Sequence, residues 1–253
     1  MRAIDAWIND VSLREVDPRI VLRRIDDAPP TIETTWGDNP GRDGQRLLGR
    51  RRTGRRVTLV FGIRELYDLA ARARIVDAVN AWAQDGYLKV SNRPERRLPV
   101  TAAQYAAVQD PRNYNEDFSV AFDAPSPFWE DSAAKRLQLT GSSATGQLKN
   151  LGSHEALCGA TVSHASGTLN TLSVTVGHST FSFSGLGVAA GTDLVIDHDK
   201  RGYLRIMAGS TSKLAKRSAA SSDELVAEPG INEVSVTANV SVTAVVEVRA
   251  AWL

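Results

Sequence analysis

Residues 55–83, RRVTLVFGIRELYDLAARARIVDAVNAWA, set two different periodicities back to back and decide the fold class of the first half of the chain. Val57, Leu59 and Phe61 alternate with Thr58 and Val60, the period of two that sends every second side chain to one face of a strand. From Leu66 onward, Leu66, Leu69, Ala73, Val76 and Ala83 fall three, four, three and seven apart, with Arg72, Arg74, Asp77 and Asp85 mostly off that line. This spacing predicts one amphipathic helix. Gly86 stands just past it, where a left-handed residue ends a helix, and residues 87–90 resume an extended pattern. Phe118, Val120 and Phe122 alternate in the same way with Ser119, Ala121 and Asp123. The first half is therefore expected to be mainly β, a sandwich or barrel-like sheet with one substantial α-helix packed on it.

Beyond Pro125, Pro127, Phe128 and Trp129 the pattern changes. Residues 140–146 are rich in Gly, Ser and Thr and argue against a helix. Short alternating runs follow: Leu172, Val174 and Val176; Leu194 and Ile196; Leu204 and Ile206; Val234, Val236 and Ala238; Val246 and Val248. Many short strands with turn-formers between them predict an antiparallel β-sandwich. At Glu228, Pro229, Gly230, Ile231 and Asn232, proline presets the second turn position and glycine accepts a positive φ at the third, so a type II turn should feed the strand at Val234.

The chain is 253 residues long, with 42% hydrophobic residues and a net charge of +1, a composition able to bury real cores. Residues 1–130 hold 20 Lys and Arg and 19 Asp and Glu, whereas residues 131–253 hold 10 of each. The second half is rich in Ser, Thr, Val and Gly instead, and such a shift marks a domain boundary near residue 130. The start carries Arg2, Asp5 and Asp10 without an apolar run, so neither a signal peptide nor a membrane anchor is expected, and synthesis is expected in the cytoplasm. The single cysteine, Cys158, allows no internal disulfide and no cysteine-based zinc cluster, and reads as a small core residue. Stability must then come from packing or oligomerisation.

In this order, a mixed β domain with one helix, a proline and aromatic junction and then a β-sandwich, the chain resembles the distal tail protein family of siphophages. The resemblance rests on Trp7, Ile8, Asn9 and Asp10; on the strand and helix of residues 55–83; on the junction NEDFSVAFDAPSPFWE at residues 115–130; and on the PGIN turn at 229–232 with the strands after it. It spans essentially the whole chain. It implies that residues 1–133 form a ring-forming domain related to tail-tube subunits and that residues 136–253 form a galectin-like β-sandwich radiating outward. It also implies a homohexameric ring at the tip of a virion tail, made in the host cytoplasm. The implied contacts are the tail-tube protein above, the tail-associated tip protein below and receptor-binding or peripheral tail proteins at the rim. DNA would pass through the lumen only transiently, and no cofactor, membrane insertion or catalysis is implied. One departure is plain. A sugar-binding galectin sets a tryptophan against the sugar beside a His-Asn-Arg constellation, and here the second half offers only Trp252, so a scaffold is expected and not a lectin.

Residues 42–56 carry seven arginines, Arg42, Arg46, Arg50, Arg51, Arg52, Arg55 and Arg56, against one acid, Asp43, with Gly41, Gly44, Gly49 and Gly54 between them. Three readings stay open for this segment: a hairpin in which Arg50, Arg51, Arg52, Arg55 and Arg56 dock on an acidic neighbouring subunit, a surface facing the phosphates of passing DNA, or a solvated loop. Phe128 and Trp129 are either a partner anchor or a plug in the seam between two domains. Asp197, His198 and Asp199 alternate faces if extended and so do not converge on one ion; a turn is expected between strands ending at Ile196 and starting at Tyr203. His154, His164 and His178 lack ligand spacing, and no Ser lies in a nucleophile-elbow pattern, so neither metal nor enzyme chemistry is expected.

Two other functions are compatible with parts of the sequence. A tail-tube or baseplate-hub subunit would share the first domain but need not carry the sandwich. A carbohydrate-binding module for host attachment would display exposed aromatics, for which the second half offers Phe181, Phe183, Tyr203 and Trp252.

Overall fold

Alternation of buried and exposed side chains runs through most strands of the computed structural model, which describes residues 4–38, 43–64, 68–108, 116–199 and 203–253. The chain divides into two compact units, Met1–Trp129 and Glu130–Leu253.

The first unit holds β1 (Ala6–Ile8), β2 (Val11–Ser12), the short α1 (Leu13–Val16), β3 (Ile20–Asp27), β4 (Ile32–Asp38), β5 (Gln45–Arg52), β6 (Arg55–Ile63), α2 (Leu69–Trp82), β7 (Gly86–Val90), β8 (Arg93–Gln104) and β9 (Phe118–Ala124); β10 (Trp129–Asp131) spans the division. One antiparallel sheet runs β2-β1-β7-β8-β9-β6-β3, and β4 pairs with β5 outside it. The predicted alternation holds: Val57, Leu59 and Phe61 on β6 stand opposite Phe122, Val120 and Phe118 on β9, and all six are buried. α2 covers this face, with the Trp82 ring edge-on to Phe122 at 6.3 Å and the Trp82 indole N–H donating to the Val11 carbonyl at 2.9 Å.

The buried face of α2 differs from the predicted one. Leu69 is 43% exposed and Ala73 also faces solvent, while Ile75, Val76, Val79, Trp82 and the charged Arg72 are buried. Leu66, the first position of the predicted stripe, lies outside the described residues. Ile75, Val79 and Trp82 bring more apolar area than Leu69 and Ala73, and Arg72 can follow them inside because it is compensated there. Its Nη2 lies 3.6 Å from the Glu116 carboxylate and its guanidinium 5.6 Å from the Phe118 ring centroid.

Gly86 is likewise not the helix terminator. The helix ends at Trp82 with Ala83 as its cap, and Gly86 opens β7 instead. Asn9 and Asp10 form the two-residue turn between β1 and β2, both with positive φ (50° and 70°), a twist suited to a tight hairpin. The Asn9 side chain accepts from the Tyr87 N–H and donates to the Asp85 carbonyl, each at 3.2 Å. A Cβ on residue 86 would sit 2.0 Å from Asn9 Oδ1, which is why glycine is needed there.

The second unit holds β11 (Lys135–Asn150), β12 (Ala156–Ser163), β13 (Thr168–Leu169), β14 (Leu172–Val176), β15 (Ser179–Phe183), β16 (Val188–Ala189), β17 (Leu194–His198), β18 (Leu204–Ala208), β19 (Thr211–Ser212), β20 (Val226–Ala227), β21 (Gly230–Val248) and β22 (Ala251–Trp252). β11 and β21 form a long antiparallel ribbon shared by both halves of the sandwich. The first part of β21 pairs with β14 through residues 234–238, and the second part with β12 through residues 243–248. Between them the register breaks: Gly141 pairs with Val242 but Ser143 pairs with Thr237, so residues 238–241 oppose Ser142 alone. Gly141 takes φ 136°, and a bend of this kind is how one strand serves two sheets. Asn239 fixes the corner, its Oδ1 accepting from the Asn170 and Thr171 N–H groups at 2.9 and 3.0 Å.

Gly230 takes the expected positive φ, but the strand begins at Gly230 itself, where it already pairs with Asn150, and not at Val234. Gly230 has φ 105°, and the buried Asn232 closes the turn by accepting from the Glu228 N–H at 2.9 Å and donating to its carbonyl at 2.8 Å. β17 runs further than predicted, through Asp197 and His198, because Arg205 on β18 grips Asp197 across the ladder with two bonds, 3.0 and 2.5 Å. Asp199 accepts from the Tyr203 N–H at 3.0 Å; residues 200–202 lie outside the described residues.

Cys158 is buried, 1% exposed, on β12, and burial pushes its thiol up from 9.0 to about 12, against a smaller opposing effect from the Ala227 backbone. At pH 8 the native thiolate fraction is then roughly 10⁻⁴, so thiol reagents should label the native protein orders of magnitude more slowly than the unfolded chain. The unfolded thiol ionises near its ordinary value while the folded one holds its proton, so this group's contribution to stability is lost as pH rises from about 9 to about 12. Labelling kinetics with and without denaturant, and alkaline unfolding of wild type against Cys158→Ala, measure both effects.

Candidate functional site

Between Asp27 and Arg55 the chain leaves the main sheet as an antiparallel ribbon, β4 with β5. A two-stranded ribbon has no second layer to cover either face, so its side chains meet solvent whatever their chemistry. Ile32 is 42%, Trp36 53%, Leu47 52% and Leu48 55% exposed. Residues opposite one another share a face, which sets Ile32 with Arg52, Thr34 with Arg50 and Trp36 with Leu47 on one side. Glu33 and Arg51 pair on the other side at 2.7 Å. Leu48 is the extra residue of a bulge and lies over Gly37, where a Cβ would meet its Cδ1 at 2.5 Å. An exposed tryptophan flanked by aliphatic side chains and arginines has the composition of an interface centre.

The base of the ribbon is held by a part-buried charge cluster around the buried Arg55. Thr53 N–H donates to the Thr31 carbonyl at 2.9 Å and pinches the two strands together. Below that pinch the Asp27 carboxylate accepts from Arg55 Nη1 at 2.8 and 3.0 Å and from the Trp129 indole N–H at 3.2 Å, with Arg93 Nη2 at 3.3 Å. The Arg55 side chain is 2% exposed and that of Asp27 12%. Arg93 also lies over the Trp129 ring, 5.3 Å from its centroid.

The sequence-predicted docking set is thus split. Arg50, Arg51 and Arg52 stand together on the exposed ribbon, as does Arg46. Arg55 is corrected: it is an interior residue committed to Asp27 and cannot reach a partner. Arg56 lies on β6 with its side chain 56% exposed and grips Asp123 of β9 with two bonds, 2.7 and 3.2 Å, which raise its guanidinium pKa. Arg42 lies outside the described residues. Trp129 is fully buried, with its indole N–H on Asp27, while the half-buried Phe128 carries the Arg52 guanidinium 5.9 Å from its ring centroid.

Sequence reading passed over Ile32, Trp36, Leu47 and Leu48. A signal existed in the alternation of Ile32, Thr34 and Trp36, but period two does not say whether the apolar face meets a core. Among the described residues, no group of three or more His, Cys, Asp and Glu side chains could hold a metal ion, and no helix is long and apolar enough to cross a membrane.

No protein-family model matches the sequence, and no curated protein matches it either. Solved structures do match the fold. The crystal structure of the Dit protein of phage SPP1, described as a paradigm of the hub adsorption apparatus in phages infecting Gram-positive bacteria, aligns at a TM-score of 0.69 and 13% identity over 98% of this chain and 99% of that one. A chain of the phage P2 baseplate in its activated conformation aligns at a TM-score of 0.55 and 8% identity with calcium, over 98% of each chain. With strontium the TM-score is 0.54 and the identity 8%. The chain therefore has the fold of this hub protein along its whole length.

Removing one partner of a buried ion pair strands the other, at a cost of about 3–5 kcal/mol. Asp27→Ala should therefore lower the unfolding free energy by about that amount in urea titrations, whereas Arg51→Ala, which breaks only an exposed pair, should cost about 1 kcal/mol or less.

Proposed function

We propose that the chain is a structural protein of the tail of a long-tailed bacteriophage, a distal tail protein whose copies form a homohexameric ring at the tail tip. The ring joins the tail-tube protein to the tip protein and to peripheral receptor-binding components, and DNA crosses its lumen only in transit. The observation that carries this reading is the match of 98% of this chain to 99% of the chain of a hub protein. In this reading residues 1–133 build the ring and residues 136–253 form a galectin-like sandwich that radiates from it as a scaffold. A carbohydrate-binding role draws little support, because Phe181 and Phe183 are buried and leave Tyr203 as the strongly exposed aromatic of the described second unit.

The ribbon supplies the contact between subunits. Trp36 and Leu47 bury apolar area against a neighbour, and Arg50, Arg51 and Arg52 meet acidic groups through charge-assisted bonds. Docking accounts for the ribbon better than a DNA-facing role does, because phosphate recognition needs no exposed tryptophan and leucines beside the arginines.

Light scattering and electron microscopy of the purified protein, alone and with its tail partners, should show hexameric rings. Trp36→Ala with Leu47→Ala should weaken assembly by ~2 kcal/mol or more, about 30-fold, and leave the melting of the unassembled subunit nearly unchanged. Arg51→Ala with Arg52→Ala should weaken it less, and raised salt should mimic that variant. A strict monomer beside its partners, or rings unaffected by both variants, refutes the docking role.

A fragment of residues 136–253 should be soluble, β-rich by circular dichroism and cooperative in melting. A disordered fragment from a chain that folds whole would refute the domain division.

A further inference from the structure

β15 pairs with β14 along one edge only. Along its other edge the outward backbone groups are those of Thr180 and Ser182, and they meet a strap, residues 217–223, that makes one isolated β-bridge, Arg217 opposite Phe183, and no strand. Beyond that bridge, serine hydroxyls and serine N–H groups take the place of a longer ladder. Ser222 Oγ accepts from the Thr180 N–H and Ser222 N–H donates to the Thr180 carbonyl, both at 2.9 Å. Ser221 Oγ accepts from the Ser182 N–H at 3.0 Å, and Ser218 N–H donates to the Ser182 carbonyl at 2.8 Å. Arg217 pins the strap: its Nη1 donates to the carbonyls of Ser222 and Asp223 at 3.2 and 2.8 Å, and its guanidinium lies 5.3 Å from the Phe181 ring centroid.

The strand beneath is unguarded in its own sequence. β15 reads STFSF, with Phe181 and Phe183 buried, Ser and Thr on the other face, and no charge, proline or bulge. Natural edge strands carry such features because an uncharged, regular edge pairs with any strand that presents itself. High β propensity and lack of charge make an identical strand a good partner, with no like-charge repulsion to prevent the approach.

We propose that the Arg217-anchored serine strap is a guard, and that β15 beneath it is a latent self-association edge whose occupant is β15 of a second copy of this chain. Two such edges run antiparallel about Phe181, so that Thr180 of one copy faces Ser182 of the other and their backbone groups exchange hydrogen bonds in a self-complementary, two-fold contact. The strap satisfies those groups within the chain and holds the edge shut. This contact is separate from the ribbon and does not depend on the ring.

The test uses the full-length protein. Two variants open the strap by different routes: Ser221→Ala with Ser222→Ala removes the two acceptors, and Arg217→Gln removes the anchor while leaving every serine in place. Each is prepared with and without Thr180→Lys, which puts a charge on the edge. Hydrogen exchange at the Thr180 and Ser182 amides should quicken ~10-fold in both strap variants. Sedimentation velocity should show species larger than those wild type forms at the same concentration, and Thr180→Lys should remove them. Unchanged exchange in both variants overturns the proposal, as do faster exchange without new species and new species that persist with Thr180→Lys. Should the double alanine variant fail to fold, Arg217→Gln carries the same test.

Discussion

The carboxylate of Asp27 collects Arg55, Arg93 and Trp129 at one part-buried point, and the first unit is organised around that point. Those four residues come from the end of β3, the start of β6, the start of β8 and the end of the unit itself. A carboxylate with only 12% of its side chain exposed needs compensating charge and hydrogen bonds, and two guanidinium groups with an indole N–H provide them. Because β3 ends and β6 begins at the Asp27–Arg55 pair, everything between them has to leave the sheet and return at the same place. The exposed ribbon is the result, and the Thr31–Thr53 bond narrows its neck.

That geometry separates two kinds of arginine that lie side by side in the chain. Arg55 is bound to a part-buried acid and stabilises the fold. Arg50, Arg51 and Arg52 stand on the ribbon, where their charge has solvent, Glu33 and the Phe128 ring as company. Exposed pairs of this kind add little to the stability of one subunit but retain their capacity for a partner. Trp36 and Leu47 supply the apolar area that arginines alone lack.

The second unit solves its edges differently. Its long strands bend at Gly141 and Asn239 so that one ribbon serves both sheets, which reduces the number of free edges a sandwich must cover. The edge at β15 is closed by serine side chains and backbone N–H groups of a strap that makes a single bridge, which satisfies it without presenting a further strand for another chain to join.

The sequence by itself determined the mainly β class, the strands at Val57, Phe118, Leu172 and Val246, the long helix α2 and the positive φ at Gly230. Each follows from local rules, period two, period 3.6 and the φ that only some residues tolerate, and those rules need no knowledge of distant partners. Tertiary structure alone decided which face of α2 is buried, because Arg72 goes inside only where Glu116 and Phe118 are waiting for it. It also decided that Gly86 makes room for Asn9 and that Arg55 is interior while Arg51 is exposed. In each case the deciding partner lies tens of residues away, and a charge or an apolar stripe carries no mark of whether the groups across from it are protein or water.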